Sequence, residues 1–530
     1  MISVADFGTH ENLGDDTAAF QAALNAAAQT IPPTGAVYGA EVYIPPGEYT
    51  ISSTLTVQNG VTLRGAGSRS TRIVYTGTGL CLDLYGCERS TVSDLALLRD
   101  GGSGQAIRIY GNVNRIERVY LGTKASTGFG WDKGISIEGD STLSVLSSTN
   151  YIVDTSFWSV KTNSILITRA IDTFLSKVSS FSTPDSVINQ HLVIETGASG
   201  VYAAQCSFGY GLNGVSVQRT LSTTSPNNSA PVYLFFDQVL ADTMSGGHGW
   251  NFDSTLGSFT TSAFLTNCWA AAAGLNSSGI ATAGANGVLI AGGQGISLRG
   301  CRIRSNANNG VIVNSASSSQ VSIDGSYVTS NNVANNADGH GVYVTTASAD
   351  VGVLNCLIGN VLDGNGHQKY GIKIAAAAAT GLRIVGNDLG TNSTGPISNA
   401  STAAYECLAN TPADDTVPGQ MYNSLRLSGL GRINDANNAA VSASGGTWNL
   451  PHHVNGGIVI LRDVTSGGSA AYLVDEVIGV TKIAGPAAFV TGTASANQIG
   501  LATAAGGPTT VSNGYGITKN IIALALAAQG

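Results

Sequence analysis

Charge is what this chain lacks. Asp, Glu, Lys and Arg together make up 11% of its 530 residues, against roughly a quarter in an ordinary globular protein. What charge there is leans acidic, with a formal net charge of -8. No basic stripe is left to follow a phosphate backbone, which argues against a nucleic-acid partner, and an anionic membrane surface is equally unfavourable. No apolar run reaches the ~18 residues that span a bilayer, so no membrane insertion is expected. The start, Met1-Ile-Ser-Val-Ala-Asp, lacks the basic-then-apolar order of a secretory signal. Cysteine is sparse: there are 7, an odd number without a C-x-x-C pair, which suggests neither a disulfide framework nor a zinc site. Cys301 and Cys356 read as small buried side chains in one column, and Cys81 and Cys87 are near enough in sequence for a bridge. H-E-x-x-H, EF-hand, P-loop and dinucleotide patterns are also missing, so no cofactor and no metal is expected.

Glycine, serine, threonine, asparagine and alanine fill the space that charge leaves. Gly287-Val-Leu-Ile, Gly310-Val-Ile-Val, Gly341-Val-Tyr-Val and Gly371-Ile-Lys-Ile each open a unit with the same order of buried and turn positions. Each unit continues to an apolar residue (Leu298, Ile323, Val353, Ile384) and closes on an asparagine, at Asn306, Asn331, Asn360 and Asn392. Apolar residues alternate with polar ones for three or four positions before a turn, the period of a strand with one buried face. Unit lengths vary while the pattern holds, which is how a coil of stacked strands lets extra residues leave as loops. The asparagines are expected to stack as an amide ladder. The chain therefore reads as an all-β solenoid, a parallel β-helix, in which residues distant in sequence become neighbours at roughly 4.8 Å per rung.

The chain exceeds one compact core, so further domains are expected. Residues 1–40 read as an N-terminal cap with a helix begun by an Asp N-cap in Gly14-Asp-Asp-Thr-Ala-Ala-Phe-Gln. Residues 41–409 read as the β-helix and 410–444 as a linker or neck with two prolines. Residues 445–530, with separate strands such as Gly457-Ile-Val-Ile-Leu, read as an antiparallel β-sandwich.

D-F-G, then G-D-D-T-x-A-F-Q-x-A, then V-Y-I-P-P-G-x-Y and L-x-G-x-G, over roughly residues 3 to 67, resemble the opening of the pectate-lyase-type right-handed β-helix of phage tailspikes. The resemblance implies a homotrimer with a polysaccharide-binding surface on the flank of, or between, the helices. It also implies a place on the virion tail, outside the cell, and a bacterial capsular or O-antigen polysaccharide as partner. The C-terminal module resembles those that assist trimerisation, with carbohydrate binding as its other reading. Nothing ahead of residue 1 reads as a head-binding domain, so the chain is expected to be a fragment or to dock through an adaptor protein.

Chemistry is expected on the outward columns. Aligning the glycine-led strands sets Glu195 and Asp253 either side of Gln218, about 9.6 Å apart, a spacing suited to an inverting glycosidase. Asp237 and Asp242 follow as further carboxylates. His248, Trp250, Trp269 and Gln218 are the candidates for holding sugar, the tryptophans by their flat apolar faces. Gly247-His248-Gly249 matches the G-H-G of polygalacturonases, but the N-T-D motif is absent and Ile372-Lys373-Ile374 lacks the expected arginine. The rival set is His340, Tyr343 and Lys373, with Tyr370, Asp338, Asp363, His367 and Lys369 nearby, which suits β-elimination at a uronic acid. Solvated strand ends, ordinary packing and a polar subunit contact are the bland readings of these groups. Arg299 beside Asp324 reads as a surface ion pair. The functional expectation is a depolymerase, hydrolase before lyase, with a non-catalytic adhesin or a bacterial pectinase or epimerase as the remaining readings.

Overall fold

The computed structural model describes residues 1–9, 14–30, 39–99, 103–124, 128–139, 146–184, 188–220, 229–254, 259–282, 284–314, 320–345, 350–360, 366–375, 379–401, 406–408 and 410. Beyond these it describes 424–426, 432–441, 446–449, 457–463, 469–475, 479–484, 488–491, 498–502, 510–513 and 519–527. Residues 411–423, 427–431 and 442–444 of the expected 410–444 linker, and Asp363, lie outside the described residues.

The helix Thr17–Gln29 turns Phe20, Ala23, Leu24 and Ala27 inward onto the first strands, with Phe20 edge-on to Tyr49 at 5.4 Å. Its N-terminus is tied differently from the expected Asp cap. Asp15 accepts from the Thr17 N–H at 3.1 Å, while Asp16 accepts from the Thr50 N–H at 3.2 Å and so binds the helix to the first rung.

From there the chain coils through three parallel sheets. One turn runs Asn213–Arg219 on sheet one, Val232–Asp237 on sheet two and Leu240–Asp242 on sheet three. The next runs Trp250–Ser254, Phe259–Thr266 and Trp269–Ala271, each strand parallel to its predecessor. Inward positions are apolar and closed to solvent, as with Val215, Val217, Phe236 and Phe252. Between sheets two and three one residue takes a left-handed conformation on every turn: Lys177, Gln205, Gln238, Asn267, Gly300, Gly325 and Asn355. A small or short side chain then points in, at Val178, Cys206, Val239, Cys268, Cys301, Ser326 and Cys356, all buried. The cysteines therefore fill a tight corner. Burial pushes the thiols of Cys206 and Cys356 up to about 11, far from reactive thiolate. Cys81 and Cys87 are buried and free.

The amide ladder is present, with one member changed. Asn306 Nδ2 donates to Asn331 Oδ1 at 2.7 Å, Asn331 Nδ2 to Gln368 Oε1 at 2.9 Å and Gln368 Nε2 to Asn392 Oδ1 at 3.1 Å. Asn360 stands aside and donates to the Gln368 and Thr391 carbonyls. Gln368, with its longer side chain, takes the place expected for Asn360. The ladder, together with the branched side chains of Ile303, Val328 and Ile358, explains the repeated glycine. A Cβ on Gly287, Gly310, Gly341 or Gly371 would lie 2.6 to 3.0 Å from the ladder amide nitrogen of its own unit.

A second compact unit comprises Leu382–Asn387 and Ala404–Gly530. Ser424–Arg426, Arg432–Val441, Lys519–Ala527, Gly457–Asp463, Ser469–Asp475 and Gly479–Ala484 form an antiparallel sheet. Gly446–Asn449, Thr510–Asn513, Ile499–Ala502 and Phe489–Thr491 form another, whose last pair is parallel. Arg432–Val441 falls in the stretch the sequence assigns to a neck, yet it is paired along Lys519–Ala527.

Asn331 tests the ladder. Asn331→Ala strips the partner from the buried Asn306 N–H, which reaches Asn331 Oδ1 at 3.2 Å, and should cost about 3 kcal/mol. Guanidinium unfolding would show it as a lowered midpoint; a loss below about 0.5 kcal/mol would mean that the ladder is dispensable.

Candidate functional site

The column on sheet one is in the expected register. Ile194 lies opposite Val217, which carries the ladder on to Glu195 and Gln218, and Gln218 lies opposite Asp253. Gln218 Nε2 donates to Glu195 Oε1 at 2.9 Å. All three side chains are half-buried at the strand ends. His248 stands at the other end of the Asp253 strand, in the turn that leads into it, where its N–H donates to Asn213 Oδ1 at 2.8 Å. Its Nδ1 accepts from the Asn286 N–H at 3.0 Å, so the neutral ring carries its proton on Nε2. Burial holds its pKa below the usual imidazole value, and the nearby charge of Asp253 pulls the other way.

The other carboxylates stand elsewhere. Asp253 is next to last in a sheet-one strand, while Asp237 ends a sheet-two strand and Asp242 a sheet-three strand, so these three acids look out from different faces. Asp237 projects outward and Phe236 inward, as expected. Asp242 keeps an exposed tip, but crowding by protein raises its pKa, with Arg304 pulling it back. Trp269 shares that face, half-buried, with the Arg304 guanidinium 6.0 Å from its ring.

Trp250 corrects the expectation of an exposed sugar platform. It is 1% exposed, edge-on to Phe236 at 5.0 Å, and its Nε1 donates to the Trp269 carbonyl at 3.2 Å. Its place opposite Val215 and Val288 puts the indole in the core.

The rival cluster does assemble. Tyr343 lies opposite Lys373, whose Nζ is 5.2 Å from the Tyr343 ring centre and 2.7 Å from Asp338 Oδ1. His340 packs on Tyr343 at 4.9 Å and Tyr370 at 5.7 Å. As a general base, however, His340 is badly placed. It is closed to solvent, its Nδ1 accepts from the Tyr370 N–H at 3.3 Å, and burial lowers its pKa to about 4. Lys369 turns away to Asn335 at 2.8 Å, and the His367 N–H donates to the Asn331 carbonyl.

Sequence reading missed an aromatic ladder on the outside of sheet two. Tyr151, Phe174, Tyr202, Phe235 and Phe264 stack in succession with centres 4.9 to 5.4 Å apart. The signal is an aromatic three residues before each corner, in Tyr151-Ile-Val-Asp, Phe174-Leu-Ser-Lys, Tyr202-Ala-Ala-Gln, Phe235-Phe-Asp-Gln and Phe264-Leu-Thr-Asn. Because the inner rings spend their faces on one another, the ladder offers ring edges to solvent and stiffens the sheet. Asp237 stands beside it, on the wall of a 320 Å³ apolar recess.

Residues 1–233 match the family model described as rhamnogalacturonase A/epimerase, pectate lyase-like. The fold is a pectate-lyase-like parallel β-helix. It is similar to the N-terminal fragment of bacteriophage Phi29 gene product 12, with TM-score 0.56 and 15% identity over 78% of this chain and 73% of that one. It is also similar to the A-module of mannuronan C-5 epimerase AlgE6 of Azotobacter vinelandii, with TM-score 0.50 and 17% identity over 78% of this chain and 100% of that one. No curated protein sequence matches the chain. Among the described residues no group of three His, Cys, Asp or Glu is placed to hold a metal ion.

Three buried histidines set a pH dependence. Burial lowers His191 to about 3 and His340 to about 4, and lowers His248 as well, against roughly 6.5 in an unfolded chain. The unfolded state therefore binds more protons in acid, so this stability is present above about pH 6.5 and is lost as pH falls toward the folded values. Unfolding midpoints should drop between pH 7 and 4, and His191→Gln should flatten the drop. An unchanged slope in that variant would show that His191 is not held neutral.

Proposed function

We propose that the protein binds a bacterial surface polysaccharide, capsule or O-antigen, and cleaves it by hydrolysis in the manner of a phage tailspike depolymerase. The observation that carries this reading is the register of Glu195 and Asp253, two rungs apart with Gln218 between. Two rungs set the two backbones about 9.6 Å apart, at the limit of the roughly 6.5 to 9.5 Å between carboxyls at which one protonates a leaving oxygen while the other activates water. Gln218 holds Glu195 as the water-activating base, and Asp253 serves as the acid. The match of the first 233 residues to a pectate-lyase-like model supports polysaccharide as the substrate class. The epimerase named among the similar structures acts on mannuronan, itself a polysaccharide.

The second reading is β-elimination at the other cluster. Lys373, paired with Asp338 and set over Tyr343, would hold a uronic carboxylate while Tyr343 transfers the proton; His340 would serve only to position Tyr343. A spike that binds without cutting is the third. We further propose a homotrimer carried on the virion tail, with the C-terminal unit assisting assembly. Light scattering should then return three chains per particle; a single-chain mass would remove the trimer.

Product chemistry separates the readings. Incubation with host surface polysaccharide should release reducing ends without the ultraviolet absorbance of an unsaturated uronate. Glu195→Gln and Asp253→Asn should each lower turnover by about two orders of magnitude or more while leaving folding unchanged. Parent rates in both would make the column structural. Absorbance abolished by Tyr343→Phe would establish the lyase, and binding without either signal an adhesin.

A further inference from the structure

We propose that the outer face of sheet three is a saccharide-binding track whose end nearest the N-terminus seats a carboxylate-bearing sugar unit. The proposal rests on the polysaccharide reading above for the class of ligand, and adds an acidic sugar and a second place to hold it.

The track is a pair of outward columns in continuous register. The first runs Arg72, Ala96, Tyr120, Ser156, Ser179, Ser207, Leu240 and Trp269. The second holds Trp158, Phe181, Gly209 and Asp242. From Tyr120 to Trp269 is five rungs, about 24 Å. Its middle is a floor of small hydroxyls, with Ser179 Oγ donating to Ser156 Oγ at 2.8 Å. Trp158 flanks that floor and is 39% exposed. A hydroxyl floor beside an exposed indole suits a sugar, which has both O–H groups and an apolar ring face.

The near end opens into a cavity of about 690 Å³, within the range of ligand pockets. Ala96 and Leu98 on its wall belong to an apolar cluster with Val74, against which Tyr120 packs. Three guanidiniums line it, those of Arg69, Arg72 and Arg118, with Asp154 as the carboxylate on the same wall. Two of the guanidiniums are fixed in advance. Arg118 is gripped by Asp94 at 2.6 and 2.8 Å and by Glu117 at 2.6 Å, and Arg72 by Glu48 at 3.1 Å. Holding the heads in place lowers the ordering cost of binding, and five N–H donors per guanidinium leave some for a ligand. Arg69 is exposed at the rim. Guanidiniums select a carboxylate. Asp154 tells against a dense polyanion and accepts from a hydroxyl, which an acidic sugar has and sulfate lacks.

The track lies on a different sheet from Glu195 and Asp253, so binding there is separable from cleavage. Calorimetric titration of the full chain with tetragalacturonate, maltotetraose and sodium sulfate tests it. Tetragalacturonate should bind, and maltotetraose and sulfate should bind at least about tenfold more weakly. Arg69→Glu, an exposed charge reversal, should weaken tetragalacturonate by about tenfold and Trp158→Ala by a similar factor, while Glu195→Gln leaves it unchanged. No tetragalacturonate binding, equal binding of maltotetraose, equal binding of sulfate, or indifference to both track variants would each overturn the proposal. If instead these results hold while no polysaccharide is cleaved, the track stands and the hydrolytic reading falls.

Discussion

The stacked amide ladder is the interaction on which the later rungs depend. A side-chain amide carries one acceptor and one N–H₂, so it can pass a hydrogen bond from rung to rung and still cap a neighbouring carbonyl, as Asn331 does for Ile303 at 3.2 Å. Closed from solvent, such groups are costly when unpaired, and the ladder therefore resists any slip of register. The ladder amide shares with the branched side chains of Ile303, Val328 and Ile358 the space that a Cβ would need at the glycine opening the unit. The most visible repeat in the sequence is thus the imprint of the room that the ladder and the core beside it require.

Register turns this constraint into function. With the core side chains and corner residues locked, every outward residue falls into a straight column at fixed rise, and a polymer laid along the solenoid meets a fixed array. Few of those residues are charged. Where charges do occur they are paired, as with Arg108 and Asp83 at 2.7 Å, or gathered at particular places, as around Glu195 and Asp253 or in the arginine-lined cavity. The surface is otherwise hydroxyl, amide and aromatic, which suits many weak contacts to sugar.

What could be read from the chain was whatever repeats with the rung. The Glu195, Gln218 and Asp253 column was legible because three strands opened by apolar alternation fix both face and depth. The cysteine corner was legible as buried small residues, although Cys268, one rung from Cys301, was overlooked. Grouping residues by closeness along the chain failed. Asp237, Asp242 and Asp253 are close in sequence, but a three-sheet coil changes face every few residues, so closeness along the chain says little about shared environment. Trp250 looked like a loop tryptophan because Gly247-His248-Gly249 precedes it, yet it begins a strand at an inward position. Asn360 lost its ladder place to Gln368, whose longer amide reaches both Asn331 and Asn392. The aromatic ladder was written in the sequence at a constant distance from the corner, but its rungs have no leading glycine to align them.

Stereochemistry offers the most direct test of the central claim, that carboxylates two rungs apart cleave a glycosidic bond with water between them. Proton NMR of the first product formed during turnover reads its anomeric configuration before mutarotation. The separation of Glu195 and Asp253 predicts a product of inverted configuration. A product of retained configuration, or one carrying an unsaturated uronate at its new end, would contradict the account.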